Sequence, residues 1–347
     1  MYKEKCSLYY RTRSFGSNSH HLKGDVMGLI VWSLVHLEER FKDELRKEFT
    51  DVTFYFPRSL NEANGKLAEV DTIITYGEDL DEDHIKKANN LKWIMVFTSG
   101  IDRLPKEIIK EKEIIVTNVK GIHKVPMAEY ALLMMLQTAK LNKVLIEDER
   151  NKLWRRMNLL TEIDEISSKT LFIVGAGQIG QEIARLAKAF QMKTVGFNRS
   201  GNHVDEFDEC YPIQSLLKGL HQADFIISIL PGTDATQHFW RKSHFMRMKP
   251  SAVFINIGRG KTVKEEDLLF VMKDKEIKHA VLDVFEQEPL EPKHPFWEME
   301  NITITPHIAG VSNRYHERAL EIFQHNLRNK LRGSSDMINL VDLEKGY

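Results

Sequence analysis

TLFIVGAGQIGQEIARLAKAF, residues Thr170–Phe190, opens on an apolar run and closes on an amphipathic helical pattern. Between them stand Gly175, Gly177 and Gly180 in G-x-G-x-x-G spacing. Alone that spacing is a weak signal; directly after a strand and at the start of a helix it is a specific one. Gly175 permits a tight turn, Gly177 lets the backbone approach a pyrophosphate, and Gly180 lets helix and strand close on each other. The amides of Gln178 and Ile179 fall at the helix start, where free N–H groups and the helix dipole favour an anion. Along the helix, Ile183, Leu186, Ala187 and Phe190 are expected to share one inward face. The stretch predicts a dinucleotide-binding strand–turn–helix.

Working outward, KTVGFN, DFIISIL, AVFINIG, HAVLDVF and ITITP follow downstream as short β-branched and aromatic runs. They alternate little, as strands buried on both faces do. Helical stretches separate several of them, which implies a parallel sheet covered on both sides. A second series lies upstream: GLIVWSL, VTFYF, DTIITYG, LKWIMVF and EIIVTNV, with the charged amphipathic HLEERFKDELRKEF after the first. One long helix is expected from about Pro126 to Arg150, apolar nearly all round in its first half and so buried between domains or subunits. A last helix is expected over about Ser312–Arg332. The fold class is α/β: two Rossmann-like domains with doubly wound parallel sheets, in a chain whose 347 residues exceed one ordinary core.

Hydrophobic residues make up 42% and charged residues 29%, an ordinary globular composition. Lys+Arg 49 against Asp+Glu 50 leaves almost no net charge, so no bulk field draws the protein to nucleic acid or an anionic membrane. Two cysteines, Cys6 and Cys210, make no disulfide framework and no metal site at ligand spacing. The apolar run Val26–Val35 is shorter than the ~20 residues a membrane helix needs. No small-residue cleavage site follows it, so it reads as a strand and the protein as cytoplasmic. The first 26 residues show no period and read as a non-native or disordered extension, with the natural start expected at Met27.

The strand after the phosphate loop selects the cofactor. Sites for NAD commonly carry an acid at its end, bonded to the ribose 2′-hydroxyl. Here the end reads Asn198, Arg199, Ser200. An arginine grips a 2′-phosphate with charge-assisted bonds of ~1.5–3 kcal/mol, about 10- to 100-fold in affinity. NADP(H) is therefore expected, with NAD(H) left open because Asp205 and Glu206 lie a little farther on.

Three segments near strand ends each offer polar chemistry. INIGRG carries Arg259, LDVFEQEPL carries Asp283 and Glu288, and ITPHIAG carries His307. Ligands of doubly wound sheets sit beyond the carboxyl ends of strands, so all three face the crevice of the phosphate loop. Hydride transfer to a ketone needs a polarised carbonyl, a proton for its oxygen and a fixed carboxylate. His307 can give and take the proton near neutrality. Glu288 can hold one ring nitrogen and stabilise the charged imidazole. Arg259 can bind carboxylate and ketone oxygen at any working pH. Asp283 is placed to bond the nicotinamide amide.

With GAGQIG, ILPGTDATQHF, INIGRG, LDVFEQEPL and ITPHIAG in that order, preceded by TSGIDRLP and GIHKVPMAEYALLMML, the chain resembles the D-isomer-specific 2-hydroxyacid dehydrogenase family from about Met27 to Leu340. The resemblance implies a split arrangement: residues 27–121 begin the substrate domain, 122–307 form the cofactor domain, and 308–347 return as a C-terminal helix to the substrate domain. It implies that Arg259, Glu288 and His307 are catalytic. It adds Leu230, Pro231, Thr236, Ile257 and Gly310 to the cofactor contacts. It implies that the amides around Tyr76 and Gly77, with the Ser99–Gly100 loop, face a small 2-keto or 2-hydroxy acid. A homodimer joined through the cofactor domain and its leading helix is implied too. The nearest likeness is to NADP-preferring glyoxylate/hydroxypyruvate reductases. The chain departs from the family at Tyr130, where histidine is common, at Gln287, where proline is common, and in ILPGT.

Two other readings stand beside this one. A short phosphoglycerate dehydrogenase would need basic residues near Tyr76–Gly77, where TYGEDLDED is acidic. A nucleotide-sensing interaction protein without catalysis is a different class, since fold alone does not fix function; Arg259, Glu288 and His307 together favour an enzyme.

Overall fold

A computed structural model of the chain describes residues 28–63, 66–101 and 103–344. The expected extension over residues 1–26 and the start at Met27 lie outside the described residues.

Among the described residues, twelve parallel strands form two sheets. The first contains β1 (Leu29–Ser33), β2 (Val52–Tyr55), β3 (Thr72–Thr75), β4 (Trp93–Val96) and β5 (Ile115–Asn118), in the order β2-β1-β3-β4-β5. The second contains β6 (Thr170–Val174), β7 (Lys193–Asn198), β8 (Glu209–Pro212), β9 (Phe225–Ser228), β10 (Val253–Asn256), β11 (His279–Leu282) and β12 (Ile302–Ile304). Its order is β12-β11-β10-β9-β6-β7-β8. Central strands β3, β4, β9 and β10 are buried at every position, which is why their sequences do not alternate. The strand order of the second sheet reverses between β6 and β9, so a crevice opens at the carboxyl end of β6, where the glycine loop stands.

Three details differ from the sequence reading. The expected single helix over Pro126–Arg150 is two helices, Lys124–Ala139 and Asn142–Arg150. Leu141 between them is left-handed at φ 55°, and the Ala139 carbonyl accepts from the Asp164 amide outside the helix. Strand β8, with sequence ECYP, was not legible: it is a half-exposed edge strand ending on a proline, which an edge position tolerates. On the helix Gln178–Ala189 the inward residues are Gly180, Ile183, Ala184 and Ala187, while Phe190 caps its end and is 41% exposed. The small inward residues of this helix share a core with Ala128 and Ala131 of Lys124–Ala139, so alanines set a close helix approach.

The last helix, Tyr315–Leu331, does not stay with the second sheet. Its Ala319, Leu320, Phe323 and Leu327 are buried with Val31, Ile74, Trp93 and Met95 of the first sheet. The Phe323 and Trp93 rings stack with centroids 5.3 Å apart. The two ends of the described chain thus build one core, and the second sheet is inserted between them. No helix among the described residues is long and apolar enough to cross a membrane.

Candidate active site

The glycine loop has the geometry its spacing predicts. Gly175 is at φ 117°, and its amide donates to the Phe197 carbonyl at 3.0 Å. A Cβ on Gly180 would lie 2.5 Å from the Gly175 carbonyl oxygen, so helix and loop approach as only glycine allows. At Gly177 nothing lies within 4 Å of a Cβ position, and no side chain caps the helix Gln178–Ala189. Its first amides are therefore open to an anion.

A cleft of about 670 Å³ spreads from this loop, within the usual range for small-molecule sites. Of the residues singled out for the cofactor, Gly175, Gly177, Gln178, Ile179, Gly180, Asn198, Arg199, Leu230, Pro231 and Thr236 line it. Ser99 of the first sheet lines it as well. Ser200, Ile257, Asp283 and Gly310 do not. Among the walls that sequence reasoning missed are Gly121, His123, Phe197, Ile213 and Phe239. Phe197 and Ile213 border a recognisable strand end; His123 carries no local signal. The open amides, the apolar walls and the glycine cradle fit a dinucleotide.

The end of β7 is shaped by Asn198. Its Oδ1 accepts from the amides of Ser200 and Gly201 at 3.1 and 2.6 Å, and its Nδ2 donates to the Asn202 carbonyl at 2.9 Å. These bonds fold a turn that presents Arg199 at the rim of the cleft.

The second cluster lies at the carboxyl ends of β10, β11 and β12. Arg259 follows β10 and is exposed, with its carbonyl accepting from the Thr262 hydroxyl at 2.6 Å and its Nη1 donating to the Gly258 carbonyl at 2.8 Å. A Cβ on the next residue, Gly260, would fall on the Phe285 carbonyl, so the loops after β10 and β11 interlock. Glu288 Oε1 accepts from the Phe285 amide at 3.0 Å. Its Oε2 lies 2.7 Å from His307 Nδ1. A carboxylate only accepts, so Nδ1 carries the hydrogen and Nε2 is left free to exchange a proton.

His307 has φ 53°, a left-handed conformation that costs about 1–3 kcal/mol for a non-glycine residue. Asp283 holds it there. The His307 amide donates to the Asp283 carbonyl at 2.8 Å. The Asp283 carboxylate takes the Thr305 hydroxyl at 2.6 Å and the amides of Ile308 and Ala309 at 2.9 Å each. Asp283 is 1% exposed, and through these bonds it shapes the histidine loop.

The Gly310 carbonyl lies 3.3 Å from His123 Nδ1. Burial holds the His123 pKa below its ordinary value; the Gly310 contact opposes this, and the positive charges of Arg259 and Arg318 add to it. A neutral His123 thus stands in the cleft within the field of Arg259.

From the first sheet, Gly77 follows β3 at φ 93° and its amide donates to Thr75 Oγ1 at 2.7 Å. Tyr76 Oη lies 3.0 Å from His316 Nε2, and burial raises the pKa of this phenol. The loop after β4 is tied by Asn118 Nδ2 donating to the Ser99 carbonyl at 2.9 Å and Thr98 Oγ1 to the Gly100 carbonyl at 2.6 Å. The Tyr315 hydroxyl donates to the Phe97 carbonyl and fixes the last helix beside that loop. Both loops leave the carboxyl edge of the first sheet. Among the described residues no cluster of His, Cys, Asp or Glu could hold a metal ion.

The chain is similar to known proteins. The family model described as "D-isomer specific 2-hydroxyacid dehydrogenase, NAD binding domain" matches residues 132–309. A glyoxylate reductase of Pyrococcus furiosus is 31% identical over 302 residues, 84% of this chain and 86% of that protein. A D-isomer specific 2-hydroxyacid dehydrogenase family protein from Aeromonas salmonicida subsp. salmonicida A449 superposes with a TM-score of 0.80 at 30% identity, covering 91% of this chain and 99% of that one. The NADPH-dependent glyoxylate/hydroxypyruvate reductase of Sinorhizobium meliloti, solved with NADP and sulfate, shares the fold at a TM-score of 0.74 and 23% identity, covering 92% of this chain and 100% of that one.

Proposed function

Because this chain belongs to the D-isomer-specific 2-hydroxyacid dehydrogenase family and is an NAD(P)-dependent oxidoreductase, we propose that it reduces a small 2-keto acid of the glyoxylate or hydroxypyruvate type to the D-2-hydroxy acid. The observation that carries this reading is the 2.7 Å contact between His307 Nδ1 and Glu288 Oε2, on the same sheet edge as the phosphate loop. The domain hinges are proposed at 121/122 and 307/308.

Bound in the cleft, a reduced nicotinamide supplies the hydride that C2 of the keto acid gains. Arg259 holds the substrate carboxylate and polarises the ketone oxygen. His307, as the imidazolium, delivers a proton to that oxygen from Nε2, and Glu288 keeps Nδ1–H oriented and compensates the imidazolium charge. The Tyr76–Gly77 loop and the Ser99–Gly100 loop face the carboxylate from the first sheet. Arg199, on its Asn198-built turn, binds a 2′-phosphate and favours NADPH over NADH. Two copies assemble through the exposed apolar segment that follows the Asn142–Arg150 helix.

Glyoxylate, hydroxypyruvate, pyruvate and phosphohydroxypyruvate, each assayed with NADPH and with NADH, test the reading. Turnover of the first two with a lower KM for NADPH is expected. Selective turnover of phosphohydroxypyruvate would favour a phosphoglycerate dehydrogenase. Binding of NADPH with no turnover of any 2-keto acid would favour a sensing role.

A further inference from the structure

Behind the histidine loop runs a chain of two hydroxyls, one on buried Tyr130 and one on half-buried Thr305, for which the proposed reaction has no use. Tyr130 sits on the helix Lys124–Ala139, 9% exposed, in the same core as Ile257 and Ala309. Its Oη lies 2.6 Å from Thr305 Oγ1. The Thr305 hydroxyl lies 2.6 Å from Asp283 Oδ1. A hydroxyl has one hydrogen, and an ionised carboxylate can only accept. The Thr305 hydrogen therefore goes to Asp283, and Tyr130 is the donor to Thr305. Burial pushes the Tyr130 pKa well above its ordinary value, the Thr305 contact opposes this, and the Asp283 charge adds to it, so the phenol keeps its proton throughout the working range.

The far end of this chain is the loop itself. Asp283 Oδ1 also accepts from Ile308, Oδ2 accepts from Ala309, and the Asp283 carbonyl accepts from His307. One buried residue thus fixes three consecutive amides around a backbone that is left-handed. A phenylalanine at 130 would fill the same space, so only the hydroxyl contributes polar order.

We propose that Tyr130 is a positioning residue for His307: through Thr305 and Asp283, its hydroxyl sets the orientation of the loop that carries the imidazole. This rests on His307 being the proton-transfer group. Proton transfer is sensitive to small displacements of the group that performs it, and the Glu288 contact can form only if the loop holds its place.

Three variants of the full chain test this: Tyr130→Phe, Thr305→Val, and the two combined. Hydrogen exchange at the His307, Ile308 and Ala309 amides, followed by NMR, should accelerate roughly three- to tenfold in Tyr130→Phe, while amides of β6 keep their rates. With keto acid and NADPH, kcat should fall by a similar factor, KM for the keto acid should stay within about twofold, and the limb of the pH–rate profile that reports His307 should move. The double variant should lose no more than Thr305→Val alone, because both side chains act through one chain of bonds. Unchanged exchange at the three amides in Tyr130→Phe would overturn the proposal, and so would additive losses in the double variant. If the unaltered protein turned over no 2-keto acid, the reaction reading would fail while amide exchange would still decide whether Tyr130 holds the loop.

Discussion

His307 and Glu288 show what a residue-by-residue reading can and cannot supply. Their pairing followed from residue types and from position after strands, whereas the left-handed backbone at His307 and its tether to Asp283 depend on tertiary contacts with no local signature. Replacing His307 with Ala should lower kcat by roughly 10²–10⁴ with cofactor affinity intact, read by steady-state rates and NADPH fluorescence titration; near-normal turnover would remove it from the proton transfer. Arg259→Lys keeps the charge but loses the planar fork, so KM for the keto acid should rise and kcat should fall.

A third residue, His279, bears on stability alone. Burial, aided by the charges of Lys143 and Lys278, holds its pKa down to about 4, and its Nε2 lies 2.9 Å from Thr303 Oγ1. The folded protein keeps this imidazole neutral, whereas the unfolded chain protonates it below its ordinary value of about 6.5. Its contribution is whole above pH 6.5 and is lost as pH falls toward 4, by about 3 kcal/mol. Urea unfolding of His279→Gln should show a shallower loss of stability between pH 6.5 and 4 than the unaltered protein. Parallel pH curves for the two would contradict this.

Among the elements, the central strands were legible because burial on both faces leaves an uninterrupted apolar signature, and the glycine helix because its apolar residues recur on one face. Edge strand β8, half-exposed, left none, and the break at Leu141 lies within LNKVLIEDE, where the helical pattern continues through the kink. The loops after β10 and β11 were each recognised, but their interlock at Gly260 was not, since it depends on two distant backbones meeting. Gly260→Ala must separate those loops. It should cost about 1–3 kcal/mol or more in urea unfolding and lower kcat as Arg259 parts from Glu288; an unchanged stability and rate would show the interlock to be soft.

The molecule as a whole carries one surface out of keeping with a monomer. Trp154 is 93% exposed and Met157 75%, with Leu153, Leu160 and Ile163 also exposed nearby. The Arg155–Asp148 ion pair, with Asp148 buried, holds the segment against its own helix, so the apolar side chains stand outward on a fixed support. Contiguous exposed apolar patches of this kind mark association sites. Sedimentation should give a dimer for the unaltered chain and a monomer for Trp154→Glu/Met157→Glu; an unchanged sedimentation coefficient would place the interface elsewhere. The division into two sheets was evident from the two strand series, and the return of the last helix followed only from family likeness, because nothing in an amphipathic pattern names the sheet it will cover.

That return has a consequence during synthesis. Val31 and Trp93 leave the ribosome early, but the Phe323 and Leu327 that complete their core are made about 290 residues after β1. At ordinary rates of translation, roughly 15–60 seconds separate the two. By the end of that interval the inserted second sheet has every strand it needs before the first has its lid, so the half of the protein made first is the half finished last, and its uncovered Trp93 face is what a nascent-chain chaperone would meet.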